Sequence, residues 1–476
     1  MRDSVHDARR PLPRLALLIE RGRGTRPAEA PATVRDRADR PGSAPAELVP
    51  PVDPSTEKAV TTDPQLREGA FGNATGLSCR ECGAVQELGP SYACPECFGP
   101  LEVAYSFPAV TREEIEAGPA NIWRYKALLP VPADIESSPN TEPGFTRLLR
   151  AENLGRELGI DTLWVKDDST NPTNSFKDRV VACALSAARE LGATVFACPS
   201  TGNLANAVAA AGARAGMRTV VLIPSNLEHP KQVNSAVFTD SLIAVDGNYD
   251  DVNKLAQEIA AEEEGWAFVN VNVRPFYAEG SKTLGYEIAE QLGWRLPDQI
   301  VIPVASGSQL TKVDKAFREL IDLGLVEDKP YKVFGAQAEG CSPVSAAYKS
   351  GVDAIRPVKP DTIAKSLAIG NPADGIYVLD VAKRTGGAVE DVTDDEVRAA
   401  IVKLARTEGV FTETAGGTTL AVLEKLVDSG LLDPSKETVA INTGHGLKTL
   451  DAVSGQVGPR ATIKASYDAF AEAGLV

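Results

Sequence analysis

The strongest constraint on the fold is an alternation that begins near residue 109. Short apolar stretches of strand character are followed, after a polar turn, by alanine-rich helical stretches. Thr162–Lys166 reads as a strand and Lys177–Leu191 as a helix; Thr194–Cys198 and Thr219–Ile223 read as strands flanking a helix at Asn203–Ala215. Ile300–Val304, Lys332–Ala336 and Thr438–Asn442 repeat the strand signature. A strand that is apolar at nearly every position has no solvent face, so it belongs in a sheet covered on both sides. Strands and helices in alternation imply parallel βαβ units, hence an α/β fold with doubly wound, parallel-rich sheets. A chain of 476 residues is long enough for about three domains.

Residues 1–75 lack the alternation. Pro, Ala, Arg and Gly dominate, and the one apolar cluster, Leu15–Ile19, ends in Glu20-Arg21. That is shorter than the roughly 7–15 apolar residues of an export signal, despite Arg9-Arg10 before it. Too little apolar surface is available to offset the entropy of ordering, so the segment reads as a disordered extension. The chain carries 49 basic and 65 acidic residues, a net −16, which argues against general binding to nucleic-acid phosphates. No apolar run approaches the ~18 residues of a membrane helix.

Four of the seven cysteines form two C-x-x-C pairs, Cys79/Cys82 and Cys94/Cys97. Two such knuckles on short hairpins place four thiolates around one tetrahedral ion, which suits a structural Zn²⁺ with no open coordination position. A metal-free remnant of the knuckle and a redox dithiol are the alternatives. Gly83 and Gly99 stand where each knuckle needs backbone freedom. An odd number of cysteines in a large chain points to a reducing cytosol.

Polar chemistry gathers in four segments where strands end. Pro172–Arg179 carries Ser175-Phe176-Lys177-Asp178-Arg179 and puts a lysine at a helix start. Ser200-Thr201-Gly202-Asn203 joins a strand to a helix, as does Ala305-Ser306-Gly307-Ser308-Gln309. Small hydroxyl residues and glycine at a helix N-terminus let backbone N–H groups reach an anion. Thr443-Gly444-His445-Gly446-Leu447-Lys448 follows the last strand. Taken singly, each segment is equally an ordinary capped helix start or turn.

In this order the four segments resemble the fold-type II pyridoxal phosphate (PLP) enzymes, and among them the threonine synthase family. S-F-K-D-R resembles the lysine motif, S-T-G-N the following loop, T-G-H-G-L-K the terminal motif and Glu279-Gly280-Ser281-Lys282-Thr283 the E-G-x-K-T stretch. The resemblance covers roughly residues 76–476 and implies a tryptophan synthase β-like architecture. A zinc-ribbon-like knuckle would span 76–108, a large PLP-binding domain 109–167 and 273–476, and a smaller mobile domain 168–272. It implies that Lys177 is the catalytic, Schiff-base lysine. Phe176, Asn203, Ser306, Gly307, Ser308, Gln309 and Thr443 would bind the cofactor. Thr146, Ser200, Thr201, Arg274 and Lys282 would bind the substrate, and Cys79, Cys82, Cys94 and Cys97 the metal. The implied reaction converts O-phospho-L-homoserine and water to L-threonine and phosphate, in a cytoplasmic homodimer without nucleic-acid or membrane partners. A threonine/serine dehydratase or a β-replacing synthase on the same fold is the alternative. The chain departs from the family pattern at Arg147, Leu204 and Arg274, the last standing three positions before the place where an arginine is expected.

Overall fold

A computed structural model describes residues 66–474 apart from Tyr92, Asn226, Glu228 and Asn248. The disorder expected of residues 1–65 falls outside the described residues. Residues 66–75, assigned to the same extension, are folded. Phe71 is buried with its ring stacked 4.8 Å from that of Phe276, and Arg67 pairs with Glu190 at 2.6 Å. Average composition hides a single aromatic side chain that a preformed apolar surface can receive.

The first three strands, β1 (Ala74–Cys79), β2 (Val85–Gln86) and β3 (Leu101–Tyr105), make a small antiparallel sheet in the order β2-β1-β3. The strands β4 (Arg147–Arg150) and β5 (Leu163–Asp167) start a larger sheet. The chain then leaves it to build a four-stranded parallel sheet from β6 (Val195–Pro199), β7 (Arg218–Pro224), β8 (Leu242–Val245) and β9 (Trp266–Phe268), in the order β8-β7-β6-β9. It returns with β10 (Gln299–Pro303), β11 (Lys332–Ala338), β12 (Val389–Val392) and β13 (Thr438–Asn442). The larger sheet has the order β12-β11-β10-β13-β5-β4, parallel except for β4 at one edge. The six strands and two helices read from the sequence all fall within two residues of an observed element.

The helices that matter for the site are α1 (Lys177–Glu190), α2 (Asn203–Ala215), α3 (Arg274–Glu279), α4 (Lys282–Gln291), α5 (Ser308–Asp322), α6 (Gly375–Thr385) and α7 (Thr414–Asp428). Why the central strands are apolar throughout is visible in the packing. Ile300, Ile302, Val439 and Ile441 enter one core, while Val301 and Ala440 between them enter another on the opposite face. Successive side chains of a strand point to opposite faces, so both faces are covered. The first core also takes Phe196, Cys198, Val221 and Ile223 from the smaller sheet, whose other face packs Val195, Ala197, Val220 and Leu222. Among the described residues, no helix is long and apolar enough to cross a membrane.

A charged knot sits inside this apolar framework. The guanidinium of Arg179 on α1 donates to Asp168 Oδ2 at 2.7 Å, to both oxygens of Glu287 on α4, and to the hydroxyls of Thr146 and Thr283. Lys166 of β5 donates to Glu287 Oε2 at 2.8 Å and to the Thr146 carbonyl at 2.7 Å. The four charged side chains are fully buried. Burial opposes the charge of Arg179, but Asp168 and Glu287 outweigh it and hold the guanidinium above its usual range. Burial alone would push the Glu287 carboxyl up; Arg179 and Lys166 bring it from 4.5 to about 2.

Glu287→Gln removes one anion and leaves the two cations under-compensated, and should cost about 3–5 kcal/mol in denaturant unfolding at neutral pH. Because the folded-state value lies below the unfolded one, this stabilisation is complete above about pH 5 and is lost as pH falls through about 2. Wild-type stability should drop across that window, and the Glu287→Gln variant should lose less there. A variant as stable as wild type at pH 7 would show that the knot is not needed.

Candidate active site

The site is assembled by hydrogen bonds between segments far apart in sequence. Phe176 N–H donates to the Thr443 carbonyl at 2.8 Å, and His445 N–H to the Asn174 carbonyl at 3.1 Å. Asn174 has φ +60°, which a short polar side chain tolerates better than most. The lysine motif and the terminal motif are thereby stitched edge to edge. The glycines of the terminal motif are needed for contact. A Cβ on Gly444 would lie 2.7 Å from the Glu413 carboxylate, and one on Gly446 within 2.5 Å of the Phe411 ring.

Each charged residue of Lys177-Asp178-Arg179 has its own task. Arg179 anchors the helix from below. Asp178 accepts from Thr173 N–H at 2.9 Å and from its hydroxyl at 2.8 Å, closing the loop before the helix. Burial raises the Asp178 carboxyl to about 6 against these hydrogen bonds. Lys177 alone of the three lines a cavity. Its ammonium has no carboxylate ion pair among the described residues and lies 5.3 Å from the Phe176 ring centroid.

The same cavity is lined by Phe176, Asn203, Ser306, Gly307, Ser308, Gln309 and Thr443, so seven sequence-derived candidates and Lys177 meet at one place. The Ser306–Gln309 turn lies where β10 gives way to α5, and the first N–H groups of α5 have no partner within the helix. Gly307 has φ +97°, and a Cβ there would come within 3.0 Å of Val378 and Asp374, so only glycine fits the turn. Two buried polar atoms on the wall, Ser175 Oγ and Gln309 Nε2, have no hydrogen-bond partner among the described residues. Orphaned polar groups beside a helix N-terminus and a free lysine fit a flat, phosphorylated, carbonyl-bearing ligand such as PLP.

Glu413 escaped the sequence reading. Its fully buried carboxylate accepts from Asn203 Nδ2 at 2.8 Å and from Thr443 Oγ1 at 3.0 Å, joining two candidates from opposite sides of the cavity. Burial pushes this carboxyl up, and the two hydrogen bonds oppose it. The signal was an acid directly before an apolar, alanine- and glycine-rich helix, which also describes a plain helix start. His445 has the humbler role. Its Nδ1 accepts from Leu447 N–H at 3.2 Å, capping a turn.

Two substrate candidates need correction. Thr146 is buried, with its hydroxyl between Asp168 and Arg179, inside the charged knot and off the cavity wall. Lys282 is fully buried, paired with Glu279 at 2.8 Å and Glu319 at 3.1 Å, and its ammonium lies 4.1 Å from the Tyr105 ring centroid. A sequence shows that a polar residue is present, but the acids that face it come from other elements. Ser200 and Thr201 lie half-buried on the turn before Asn203. Arg274 opens α3 and pairs with Asp374 at 2.9 Å.

The four knuckle cysteines converge. Their sulfurs all lie within 4.8 Å of one another, with Cys79–Cys97 at 3.4 Å and Cys82–Cys94 at 3.7 Å. Sulfurs ~2.3 Å from a tetrahedral Zn²⁺ stand about 3.8 Å apart, so the donor set fits that ion. Hydrogen bonds led by the Cys82 N–H lower the Cys79 thiol to about 6, while the neighbouring sulfurs and burial raise Cys82 and Cys97. The two knuckles repeat one turn: Gly83 N–H donates to Cys79 O, and Phe98 N–H to Cys94 O. Gly83 takes the positive φ in the first turn and Phe98 in the second. Gly99 serves close approach instead, since a Cβ there would lie 2.9 Å from Cys79 Sγ.

Residues 140–444 match the family model for pyridoxal-phosphate dependent enzymes. The chain is 38% identical over 403 residues to a threonine synthase of Methanosarcina acetivorans, covering 83% of this chain and 98% of that one. It is 37% identical to a threonine synthase of Methanocaldococcus jannaschii, covering 79% and 93%. Among solved structures it resembles threonine deaminase isoform 2 from Solanum lycopersicum, with TM-score 0.56, 21% identity and coverage of 72% and 96%. Maize serine racemase follows with TM-score 0.54, 18% identity and coverage of 71% and 95%.

Lys282→Ala would leave Glu279 and Glu319 without their shared cation. It should lower unfolding stability by about 3–5 kcal/mol while leaving ligand affinity at the cavity unchanged. Unchanged stability with weakened ligand binding would return Lys282 to the site.

Proposed function

The chain belongs to the pyridoxal-phosphate dependent enzymes and within them to the threonine synthases, and on that premise we propose that it converts O-phospho-L-homoserine and water to L-threonine and phosphate. The observation that carries the reading is the convergence of Lys177, Asn203, the Ser306–Gln309 turn and Thr443 on one cavity. When bound, PLP supplies a carbonyl for amine condensation and an electron sink for charge that develops on substrate carbon.

The protein's part is placement and proton transfer. Lys177 Nζ would hold the cofactor and, when free, would serve as the base that takes the Cα proton and then a Cβ proton. Phosphate would leave Cγ, Cγ would take a proton to become the methyl group, water oxygen would bond to Cβ as its proton passes to a base, and a proton returned to Cα would complete L-threonine. Ser306, Gly307, Ser308 and Gln309 would hold the cofactor phosphate on backbone N–H groups and side-chain donors. Phe176 and Asn203 would orient the cofactor, and Thr443 would offer it a neutral hydroxyl. Glu413, holding both Asn203 and Thr443, fixes the angle between them. Arg274, Ser200 and Thr201 remain the candidates for the substrate's phosphate and carboxylate.

The four thiolates of Cys79, Cys82, Cys94 and Cys97 hold a structural Zn²⁺ in this reading. The seven cysteines, none in a disulfide, fit a reducing cytoplasm. A homodimer without nucleic-acid or membrane partners completes the proposal. Residues 168–272, inserted between two parts of a larger PLP-binding domain (109–167 and 273–476), form the mobile small domain.

Purified enzyme with PLP and O-phospho-L-homoserine should release phosphate and L-threonine in equal amounts. Phosphate with 2-oxobutyrate would instead mean a lyase that does not direct water to Cβ. Lys177→Ala should abolish turnover and the yellow absorbance of covalently held PLP together. A variant that stays yellow would remove Lys177 from its role.

A further inference from the structure

The x-x residues of the first C-x-x-C, Arg80 and Glu81, both reach across to the first turn of α6. Arg80 Nη1 lies 3.3 Å from Asp374 Oδ1, and its guanidinium carbon lies 3.5 Å over the ring of Tyr377. Glu81 accepts the hydroxyl proton of Tyr377. Asp374 is in turn the floor of the Ser306–Gln309 turn: its N–H donates to the Ser306 carbonyl at 2.8 Å, and it leaves no room for a Cβ on Gly307. Its other carboxylate oxygen holds Arg274 at 2.9 Å.

A second route joins the same two places. Glu102 on β3, beside the cysteines, pairs with Lys312 and Lys315 on α5, the helix that opens at Ser308. The cysteine ribbon therefore grips the phosphate turn from the floor and from the helix behind it. The ribbon has few buried apolar side chains, chiefly Leu77, Leu101 and Val103 with Cys79 and Cys94, and these join the main core instead of forming one of their own. A domain so poor in core depends on its metal for a fixed shape, because binding energy there is folding energy.

We propose that a thiophilic divalent cation, held by Cys79, Cys82, Cys94 and Cys97, locks Arg80 and Glu81 onto Asp374 and Tyr377 and so sets the affinity of the Ser306–Gln309 turn for the cofactor's phosphate. Arg80 and Asp374 are positioning residues, acting on the cofactor through the turn. The inference rests on the PLP reading above, and it assigns the ribbon a function inside the active site's own architecture.

The test compares PLP with pyridoxal, which lacks the phosphate. Enzyme loaded with Zn²⁺ and enzyme stripped by a chelator under reducing conditions are titrated with each, metal content being measured in parallel. Stripping should weaken PLP binding about tenfold, the scale of a lost charge-assisted contact, and change pyridoxal binding by less than about twofold. Restoring Zn²⁺ should restore PLP affinity. Arg80→Ala, still containing metal, should show the same phosphate-selective loss, and Arg80→Lys should recover part of it. Equal PLP affinity with and without metal overturns the proposal. So does a parallel loss of PLP and pyridoxal binding, which would mean general loosening. Full PLP affinity in metal-loaded Arg80→Ala overturns the route through Asp374. A loaded enzyme that binds neither compound rejects the functional reading, and this inference with it.

Discussion

The buried guanidinium of Arg179 is the contact on which the active site depends. It ties α1 to the turn just after β5 through Asp168, to α4 through Glu287, and to the segment before β4 through Thr146. Lys177 stands two residues earlier on the same helix, so the depth at which the reactive amine enters the cavity is set by where Arg179 is held. A buried ion network is a poor source of net stability, because desolvating four charged groups offsets most of their attraction. Its geometry is demanding, however. A five-donor planar fork that must meet two carboxylates and two hydroxyls has very few acceptable positions.

The rest of the cavity is built by bringing strand ends together. β10 and β13 are neighbours in the larger sheet, and the turns that follow them carry Ser306–Gln309 and Thr443. Ligands bind at such carboxyl ends because helix N-termini and irregular backbone collect there. Asn203 arrives from the smaller sheet, and Glu413 joins it to Thr443. The cavity thus spans two sheets that share one apolar core.

Much of this was legible in the sequence, for definite reasons. Strands buried on both faces announce themselves as short apolar runs, and Thr438–Asn442 and Asn203–Ala215 were placed to the residue. Lys177 and the Ser306–Gln309 turn stood out because lysine and small polar residues at strand ends are unusual in an apolar context. Lys282 and Thr146 were misread because a buried polar network and a ligand site draw on the same residue types. What separates them is the identity of partners supplied from elsewhere: Glu319 lies 37 residues from Lys282. Glu413 was missed for the converse reason, since its partners, Asn203 and Thr443, are 210 and 30 residues away. The folding of residues 66–75 turned on one phenylalanine that composition could not weigh.

The place of β13 has a consequence for how the protein is made. This strand lies in the middle of the larger sheet, between β10 and β5, yet it is the last to leave the ribosome. The four strands of the smaller sheet are contiguous in the chain and can pair as they emerge. β5 and β10 must wait, each with an open edge, until about residue 442 has been synthesised. Long-range parallel pairings of this kind form slowly and leave edges open to wrong partners in the meantime. The late strand also delivers Thr443, so a nascent chain holds Lys177 well before it holds the group that completes the cavity. A chain that stops short of residue 438 therefore lacks both the strand that joins β5 to β10 and the threonine that completes the cavity.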